Sequence, residues 1–270
     1  MPIEGEGIKD MPRVKLNVML LEVTQNALPL LYAAFRQCYS AKFAGEVFDE
    51  NKNTKEQTDF IRKIVESGHQ SPLEHVKFTF AIEGVSRALT HQLVRYRIAS
   101  YSQQSQRYVK KANFGYIMPP SIEADEALRA EFMKIMDEIR ASYDRMIERF
   151  KEKGIVGEKV TEDTRFILPQ ATETKIVVTM NCRELLHFFE ERCCMRAQWE
   201  IRDLANMMLE ICREKLPAVF AQGGAKCVRL GYCPEGKEFT CGKYPLKEKV
   251  IGSKITDSGT TGNRGTAIAP

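Results

Sequence analysis

The chain has 270 residues, 43% of them apolar, and a formal net charge of +4. This length allows one large domain or two small ones, with enough apolar residues for a substantial core. The charge is lower than that of a protein dedicated to coating DNA, and no apolar run approaches the length of a membrane span. We find no signal-peptide pattern and therefore expect a cytoplasmic protein. Its eight cysteines are then expected to be reduced thiols.

Periodicity and capping residues define the predicted elements of the first half. Residues 1–12 are expected to form a loose leader. Thr54 and Gln57 match a capping box, and Gly68 stands where a helix cap belongs. The predicted elements are a strand over Val14–Val23, a helix over Ala27–Tyr39, a helix from Thr54 to Gly68, a strand from Val76 that Gly84 ends, and a helix from Ser86 to about Tyr96. A loop is predicted after Tyr96.

In the second half, Pro119 and Pro120 mark a break before a long amphipathic helix over Ala124–Glu152. Its predicted buried stripe is Leu128, Phe132, Ile135, Ile139, Met146 and Phe150. The remaining predicted elements are a helix over Glu158–Arg165, a strand over Ile176–Met180, and helices over Arg183–Arg192 and Ala197–Lys215. We predict one α+β domain over residues 1–250, in which a mixed or antiparallel sheet packs with long helices. Residues 251–270, rich in Gly, Thr and Ser, are expected to be disordered.

The segment Arg95 to Tyr108, RYRIASYSQQSQRY, contains three residues each of arginine, serine, glutamine and tyrosine. Guanidinium groups, hydroxyls and backbone N–H groups suit a phosphate or pyrophosphate, and tyrosine rings can stack on a planar ring. The segment therefore favours nucleotide binding. The alternative is a charged helix end that runs into a polar loop, with solvated or ion-paired arginines. Composition alone leaves both interpretations open.

Further candidate ligands occur in the second half. Asn181 and Arg183 directly follow a predicted strand, and His187 and Arg192 follow on the next helix. The alternatives are that Asn181 caps this helix, that His187 is a partly buried structural histidine and that Arg192 pairs with a glutamate.

These residues resemble the motifs of the flavin-dependent thymidylate synthases. The family pattern Arg-His-Arg, seven residues, Ser is matched by Arg95-Tyr96-Arg97 and Ser105. Gly68-His69-Gln70-Ser71-Pro72-Leu73-Glu74-His75 resembles a second family block. Further blocks are Glu162 with Arg165 and Leu168-Pro169, Asn181-x-Arg183-x-Leu185 with Arg192, and Ala197-Gln198-Trp199-Glu200-Ile201. The blocks keep the family's order between about residues 35 and 215.

The resemblance implies methylation of dUMP at C5 of the uracil ring. Methylenetetrahydrofolate would donate the one-carbon unit, and FAD reduced by NADPH would deliver the hydride, with dTMP and tetrahydrofolate as products. It also implies the family's α+β fold and a homotetramer with active sites shared between subunits. Neither nucleic acid nor a membrane is an expected partner.

The resemblance also implies residue roles. Arg192 and Ser105 are the expected catalytic residues, and a fixed guanidinium at Arg192 would favour the ionised form of the uracil. The expected dUMP ligands are Gln92, Arg95, Gln103, Gln104, Ser105, Gln106, Arg107, Arg165 and Arg192. The expected FAD ligands are Ser71, Arg95, Tyr96, Arg97, Gln103, Asn181, Arg183 and His187. His69 and Tyr108 are expected on the folate or NADPH side.

Two positions depart from the family pattern. Tyr96 stands where the family has histidine, and it cannot carry a positive charge at neutral pH. Gln103 stands where family members often have glutamate, and an amide cannot act as a base. One alternative is therefore a homologue that binds flavin and dUMP but has altered or lost methyl transfer. A second is a module that binds single-stranded nucleic acid with arginines and stacked tyrosines.

The cysteines receive no catalytic role from the resemblance, because hydride itself attacks the uracil in this family. Cys38, Cys182, Cys193, Cys194 and Cys212 are expected to be inert. The spacing Cys227-x5-Cys233-x7-Cys241 could ligate zinc with a fourth ligand from elsewhere. No CxxC pair is present, so we assign no metal from the sequence.

Overall fold

The computed structural model describes residues 13–49, 54–109 and 114–250. Four strands form one sheet in the order β1-β2-β4-β3, and all three strand pairs are antiparallel. The strands are β1 Asn17–Val23, β2 Lys77–Ser86, β3 Ala99–Gln103 and β4 Glu173–Asn181. The predicted α+β class is confirmed. The predicted leader over residues 1–12 and the predicted disordered tail over residues 251–270 lie outside the described residues.

Helices surround the sheet. They are α1 Ala27–Gln37, α2 Ala44–Val47, α3 Lys55–Glu66, α4 Arg87–Leu93, α5 Pro120–Glu123, α6 Glu126–Glu152, α7 Glu158–Thr164, α8 Cys182–Arg192, α9 Trp199–Lys215, α10 Pro217–Phe220, α11 Lys226–Leu230 and α12 Gly236–Phe239. Short 3-10 turns span Ser71–His75 and Arg165–Ile167. Among the described residues, no helix is both long and apolar enough to cross a membrane.

The predicted capping box of α3 is confirmed. The Thr54 hydroxyl accepts the Gln57 backbone N–H at 3.2 Å, and the Gln57 side-chain oxygen accepts the Thr54 N–H at 3.1 Å. At the other end, the Gly68 N–H donates to the Val65 carbonyl at 3.0 Å. Both ends of this helix are determined by local interactions, so its sequence signal was reliable.

The prediction that Gly84 ends β2 is wrong. The strand continues to Ser86, and its register to β4 shifts between Ile82 and Val85. Gly84 lies within this irregularity with φ at 69°, and a Cβ there would be 1.9 Å from the Lys15 carbonyl oxygen. The glycine is therefore required for a bulge and a close backbone approach, and not for a strand end.

The predictions for residues 93–103 need two corrections. Helix α4 ends at Leu93 instead of near Tyr96, and the predicted loop contains the edge strand β3. The Tyr101 hydroxyl donates to the carbonyls of Leu93 at 2.8 Å and Tyr96 at 2.9 Å, which ties the turn between the two elements. Small polar residues on an edge strand give little apolar alternation, so the strand was not visible in the sequence.

The predicted stripe of α6 is partly wrong. Leu128 and Ile135 are exposed, and the fully buried residues are Met136, Tyr143 and Ile147. Phe132, Ile139, Met146 and Phe150 are partly buried. Tyr143, which the predicted stripe left out, is completely buried, and the buried stripe lies about one position from the predicted one.

The two faces of the sheet have different environments. Phe80 and Val178 lie on the inner face, fully buried in the main core with α1, α3, α4, α8 and α9. On the outer face, Met19 is 58% exposed and pairs with Ala81, which pairs in turn with Val177. The outer face is therefore a partly apolar surface that this chain leaves accessible.

A buried carboxylate joins α9 to the start of α4. Glu200, 4% exposed, accepts the Ser86 backbone N–H and the Ser86 hydroxyl, both at 2.6 Å. The Ser86 hydroxyl oxygen also accepts the Leu89 N–H at 3.0 Å and so caps α4. Burial raises the pKa of Glu200, and the two hydrogen bonds from Ser86 oppose that shift.

We predict that Glu200→Ala destabilises the fold by about 1–3 kcal/mol, because it leaves the buried Ser86 N–H without an acceptor. The midpoint of urea unfolding at fixed protein concentration measures this effect. The control is Glu214→Ala on the same helix, where the native side chain is 72% exposed and should contribute less than about 0.5 kcal/mol. Equal midpoints for the two variants would contradict the role assigned to Glu200.

Candidate active site

A groove lies where β4 passes into α8. Asn181 is the last residue of β4, and its side-chain oxygen accepts the Glu184 N–H at 2.8 Å, so the capping interpretation is confirmed. Arg183 and His187 project from the first two turns of α8 and are exposed. The groove has a volume of about 480 Å³, and these three predicted FAD ligands line it.

The opposite wall of this groove comes from the segment before β2. Gly68, Gln70 and Glu74 line it, and Glu74 accepts an ion-paired hydrogen bond from Arg183 at 2.5 Å. Guanidinium, amide and imidazole groups at the beginning of an 11-residue helix suit an anionic diphosphate. The described residues of the groove therefore fit the polar part of a dinucleotide cofactor.

His69 lies in a short chain of side chains near the same wall. Its Nδ1 is 2.7 Å from the Tyr39 hydroxyl, and its Nε2 is 3.2 Å from the Ser71 hydroxyl. The rings of Phe35 and Tyr39 contact it edge-on. Two predicted ligands, His69 and Ser71, are thus brought together, and Tyr39, which our sequence analysis did not single out, orients the imidazole.

Tyr96 connects the groove to Arg192. Its hydroxyl oxygen accepts a hydrogen bond from Arg192 Nε at 2.8 Å, while its ring contacts His187 and Phe188 with centroids 5.7 and 5.0 Å apart. Tyr96 is only 7% exposed, and burial raises the pKa of its hydroxyl while Arg192 acts in the opposite direction. A neutral tyrosine therefore fixes the arginine.

Two alternatives from the sequence are wrong. His187 is exposed and not a partly buried structural histidine. Among the described residues, Arg192 forms no ion pair with a carboxylate, and Tyr96 is its hydrogen-bond partner. The exposed Arg95 and Arg97 lie on either side of the buried Tyr96.

A second group of predicted ligands surrounds α7. Arg107 forms an ion pair with Glu158 and lies 3.7 Å from Glu162. Arg165 Nε donates to the Glu162 carbonyl at 3.2 Å. The Ser105 hydroxyl accepts the Arg107 backbone N–H at 3.1 Å. This group places one hydroxyl and two guanidinium groups near each other.

The remaining predicted ligands are distributed along α4 and β3. Gln103 donates from its side-chain amide to the hydroxyls of Thr90 at 3.1 Å and Thr174 at 3.4 Å. Tyr108 is 68% exposed, and the Arg107 guanidinium lies 5.5 Å from its ring centroid. Half-buried positions are occupied by Gln92, Gln104 and Gln106.

No recorded contact connects the two groups within the described part of one chain. Among the hydrogen bonds, ion pairs and ring contacts of residues 13–49, 54–109 and 114–250, none joins Arg192 to Ser105, Arg107 or Arg165. By their contacts, the predicted dUMP ligands of one chain therefore form two groups.

Arg87 belongs with the second group, and our sequence analysis missed it. Burial lowers the pKa of Arg87, and the nearby Arg165 lowers it further. In the described part of the chain, neither arginine forms an ion pair with a carboxylate. Arg87 is the first residue of α4, where the helix dipole disfavours a cation. An arginine at the first position of a helix was the sequence signal that could have marked Arg87 as a candidate anion ligand.

Comparisons with known proteins give a consistent result. The model of the family described as thymidylate synthase complementing protein matches residues 19–218. A flavin-dependent thymidylate synthase of Nitratidesulfovibrio vulgaris is 57% identical over 244 residues, covering 89% of this chain and 100% of the relative. Proteins of the same name from Clostridium tetani and Geobacter sulfurreducens are 45% and 46% identical, covering 87% and 84% of this chain and 96% and 94% of their own. The chain belongs to the thymidylate synthase complementing protein family, the family of the flavin-dependent thymidylate synthases.

Proposed function

We propose that this protein is a flavin-dependent thymidylate synthase that converts dUMP to dTMP, with methylenetetrahydrofolate and NADPH as co-substrates and FAD as cofactor. The contact that carries the proposal is the one between Tyr96 and Arg192. Arg192 is the expected uracil ligand, and His187 lines the groove that suits a dinucleotide. Tyr96 contacts both residues and is the only side chain between them in this series of contacts. The assay that tests the proposal is formation of dTMP from dUMP under anaerobic conditions.

Asn181, Arg183 and His187 would hold the cofactor in the groove at α8, together with Tyr96 and the flanking Arg95 and Arg97. Bound FAD reduced by NADPH supplies the hydride for the reaction. The Arg183 guanidinium is half exposed and pairs with Glu74, so it can turn toward a diphosphate at little cost. Ser71 would contribute its hydroxyl from the opposite wall, where His69 positions it.

Arg192 would stabilise negative charge that develops on the uracil. Tyr96 occupies its Nε, and among the described residues the other guanidinium nitrogens make no hydrogen bond. These nitrogens can donate to ring oxygens of a ligand, in a direction that Tyr96 fixes. The tyrosine thus performs an orienting role without needing the charge of an imidazole.

Arg87, Arg107, Arg165 and Ser105 would bind the dUMP phosphate. Arg87 and Arg165 lie close together without a carboxylate, an arrangement that a phosphate dianion would relieve. The side chains of Arg107 and Glu158 are both 40% exposed, so their ion pair contributes only about 0–1 kcal/mol and a phosphate can displace it.

The expected folate or NADPH ligands differ in how firmly their side chains are held. His69 is fixed between Tyr39 and Ser71, whereas the ring of Tyr108 is exposed and can stack on a planar group. No thiol is needed for attack on the uracil. Burial raises the pKa of Cys182 and Cys212, which suits inert core residues.

A homotetramer with shared sites is part of the proposal. In the described part of the chain, no contact joins Arg192 to Ser105, Arg107 or Arg165, which supports a site completed by a second subunit. The outer face of the sheet, where Met19 is exposed, offers an apolar surface for such contacts. We also propose that the protein is cytoplasmic and that it binds neither nucleic acid nor a membrane.

We predict that Arg192→Ala lowers dTMP formation by about 10²- to 10³-fold, because it removes the charge opposite the uracil. Bound flavin, measured by visible absorption, should be retained, since Arg192 does not line the groove at α8. The control is Arg149→Ala, which removes an exposed arginine of α6 and should leave turnover unchanged. Unchanged turnover in the Arg192 variant would remove it from the mechanism.

We predict that Tyr96→Phe lowers turnover by about 10- to 100-fold, the cost of losing a hydrogen bond to a charged group. Tyr96→His should restore much of the activity, because an imidazole nitrogen can accept the same hydrogen bond. Flavin content should stay equal in all three proteins. If Tyr96→Phe is as active as the parent protein, the hydroxyl does not position Arg192.

A shared site predicts complementation between inactive variants. Arg165→Ala and Arg192→Ala subunits, mixed and refolded or co-expressed, should regain part of the parent activity, because hybrid assemblies contain some sites with both arginines. Each variant refolded alone is the control. Mixtures that form hybrid assemblies but remain inactive would place both arginines in the same chain's site.

A further inference from the structure

Five of the eight cysteines line one cavity next to the end of α8. The cavity has a volume of about 420 Å³ and lies between the α8–α9 connection and the C-terminal segment 225–250. Its thiols are Cys193, Cys194, Cys227, Cys233 and Cys241. All of them are free, with no disulfide among the described cysteines. Chance placement of most of a chain's thiols around one cavity is a poor explanation for this arrangement.

The segment 225–250 lacks a hydrophobic core of its own. Ala225 and Cys233 are its only buried hydrophobic residues, and its helices α11 and α12 have five and four residues. Ion pairs to the α8 region attach it, such as Lys226–Glu191 and Arg229–Glu190, on side chains that are partly exposed. Such pairs contribute little. A metal or a covalent link is a common means of ordering an element with so little buried apolar surface.

Three of the other thiols that line the cavity lie near Cys227. Burial raises the pKa of Cys227, and Cys194, Cys233 and Cys241 raise it further because each lies near enough to act on it electrostatically. They come from separate places: the turn after α8, helix α11, the bridge to Leu246 and the turn before Gly242. Cys193 interacts instead with Arg213, Glu210 and Cys194.

The cavity also contains cationic side chains, together with Glu190, Glu191 and Glu235. Arg196, Arg213, Lys226 and Lys243 line the same cavity. The Nε of Arg213 is buried and has no hydrogen-bond partner among the described atoms. Nearby cations stabilise the deprotonated sulfur that a metal requires, and an unpartnered N–H can donate to a thiolate.

We propose that Cys194, Cys227, Cys233 and Cys241 bind one Zn²⁺ ion as a structural tetrathiolate site. Four sulfur ligands from two parts of the chain match the closed, four-coordinate sites in which zinc stabilises small elements. Among the described residues, no three His, Cys, Asp or Glu side chains already stand where they could hold a metal ion. Binding therefore requires rotation of the cysteine side chains toward a common point, with release of the thiol protons.

The proposed zinc site would lie next to the candidate active site. Cys194 lies two positions after Arg192, in the turn that the C-terminal segment covers. The Arg196 guanidinium lies 4.4 Å from the Phe239 ring centroid and pairs with Glu235, so the same turn already contacts α12. Zinc would link this turn to the segment and limit motion of the last turn of α8.

The test measures zinc in protein purified without chelators, by elemental analysis against flavin and protein content. We expect one zinc per chain in the parent protein, and loss of zinc in Cys227→Ser and Cys241→Ser. Two matched controls should keep it: Cys193→Ser, in the same cavity, and Cys38→Ser, at an exposed position beyond α1.

A second measurement does not require a variant to fold. An organomercurial added to the folded parent protein should release zinc, detected with a chromogenic chelator, while alkylation by iodoacetamide of the four thiols should be slow until the metal is removed. The proposal is overturned by a parent protein without zinc after expression in zinc-supplemented medium, by iron and sulfide in the site, or by disulfides among these cysteines. Flavin content and dTMP formation are recorded separately, so failure of the zinc site is distinguishable from failure of the proposed enzyme.

Discussion

The position of β4 between β2 and β3 is the constraint on which the candidate site depends. Ala99 pairs with Met180, so the segment through Tyr96 and Arg97 reaches the sheet beside the start of α8. Lys77 pairs with Asn181, which brings the segment before β2 to the same place. Three stretches that are distant in the sequence therefore meet at the same end of the sheet because of strand register alone.

At that meeting point a single buried ring has two functions. Tyr96 packs against Phe188 and His187 on one side and holds Arg192 through its hydroxyl on the other. Packing fixes the ring, and the ring fixes the arginine, so the direction of the charge proposed to be catalytic is set by the hydrophobic core. A histidine at this position could make the same hydrogen bond, which explains how the chain can depart from the family pattern and keep the arrangement.

The sequence predicted what local interactions determine. The caps by Thr54, Ser86 and Asn181 were readable because each satisfies a nearby helix end. Composition and position marked several candidate ligands, but their expected roles came only from the family resemblance, since the pairing that assembles them is non-local. Edge strand β3 was missed because its stability comes from β4 and not from its own alternation.

Two further contacts could not be recognised in the sequence, for physical reasons. Arg87 looked like an ordinary helix residue, and its meaning emerged from its closeness to Arg165. The expectation for Cys194 took no account of Cys227, because nothing in the sequence places the two thiols near each other. The sequence could not show that the predicted dUMP ligands fall into two groups by their contacts. Those contacts depend on the packing of elements that are distant in the sequence.

The central claim is that the groove at α8 holds a flavin that works together with the site at Arg192. The most direct test is the visible absorption spectrum of the purified protein, recorded anaerobically before and after addition of NADPH and dUMP. A flavin spectrum that bleaches on reduction, with recovery and dTMP formation after methylenetetrahydrofolate is added, is the result that the account predicts. A protein that stays colourless after incubation with FAD would contradict it, and would leave nucleotide binding without flavin chemistry as the function to pursue.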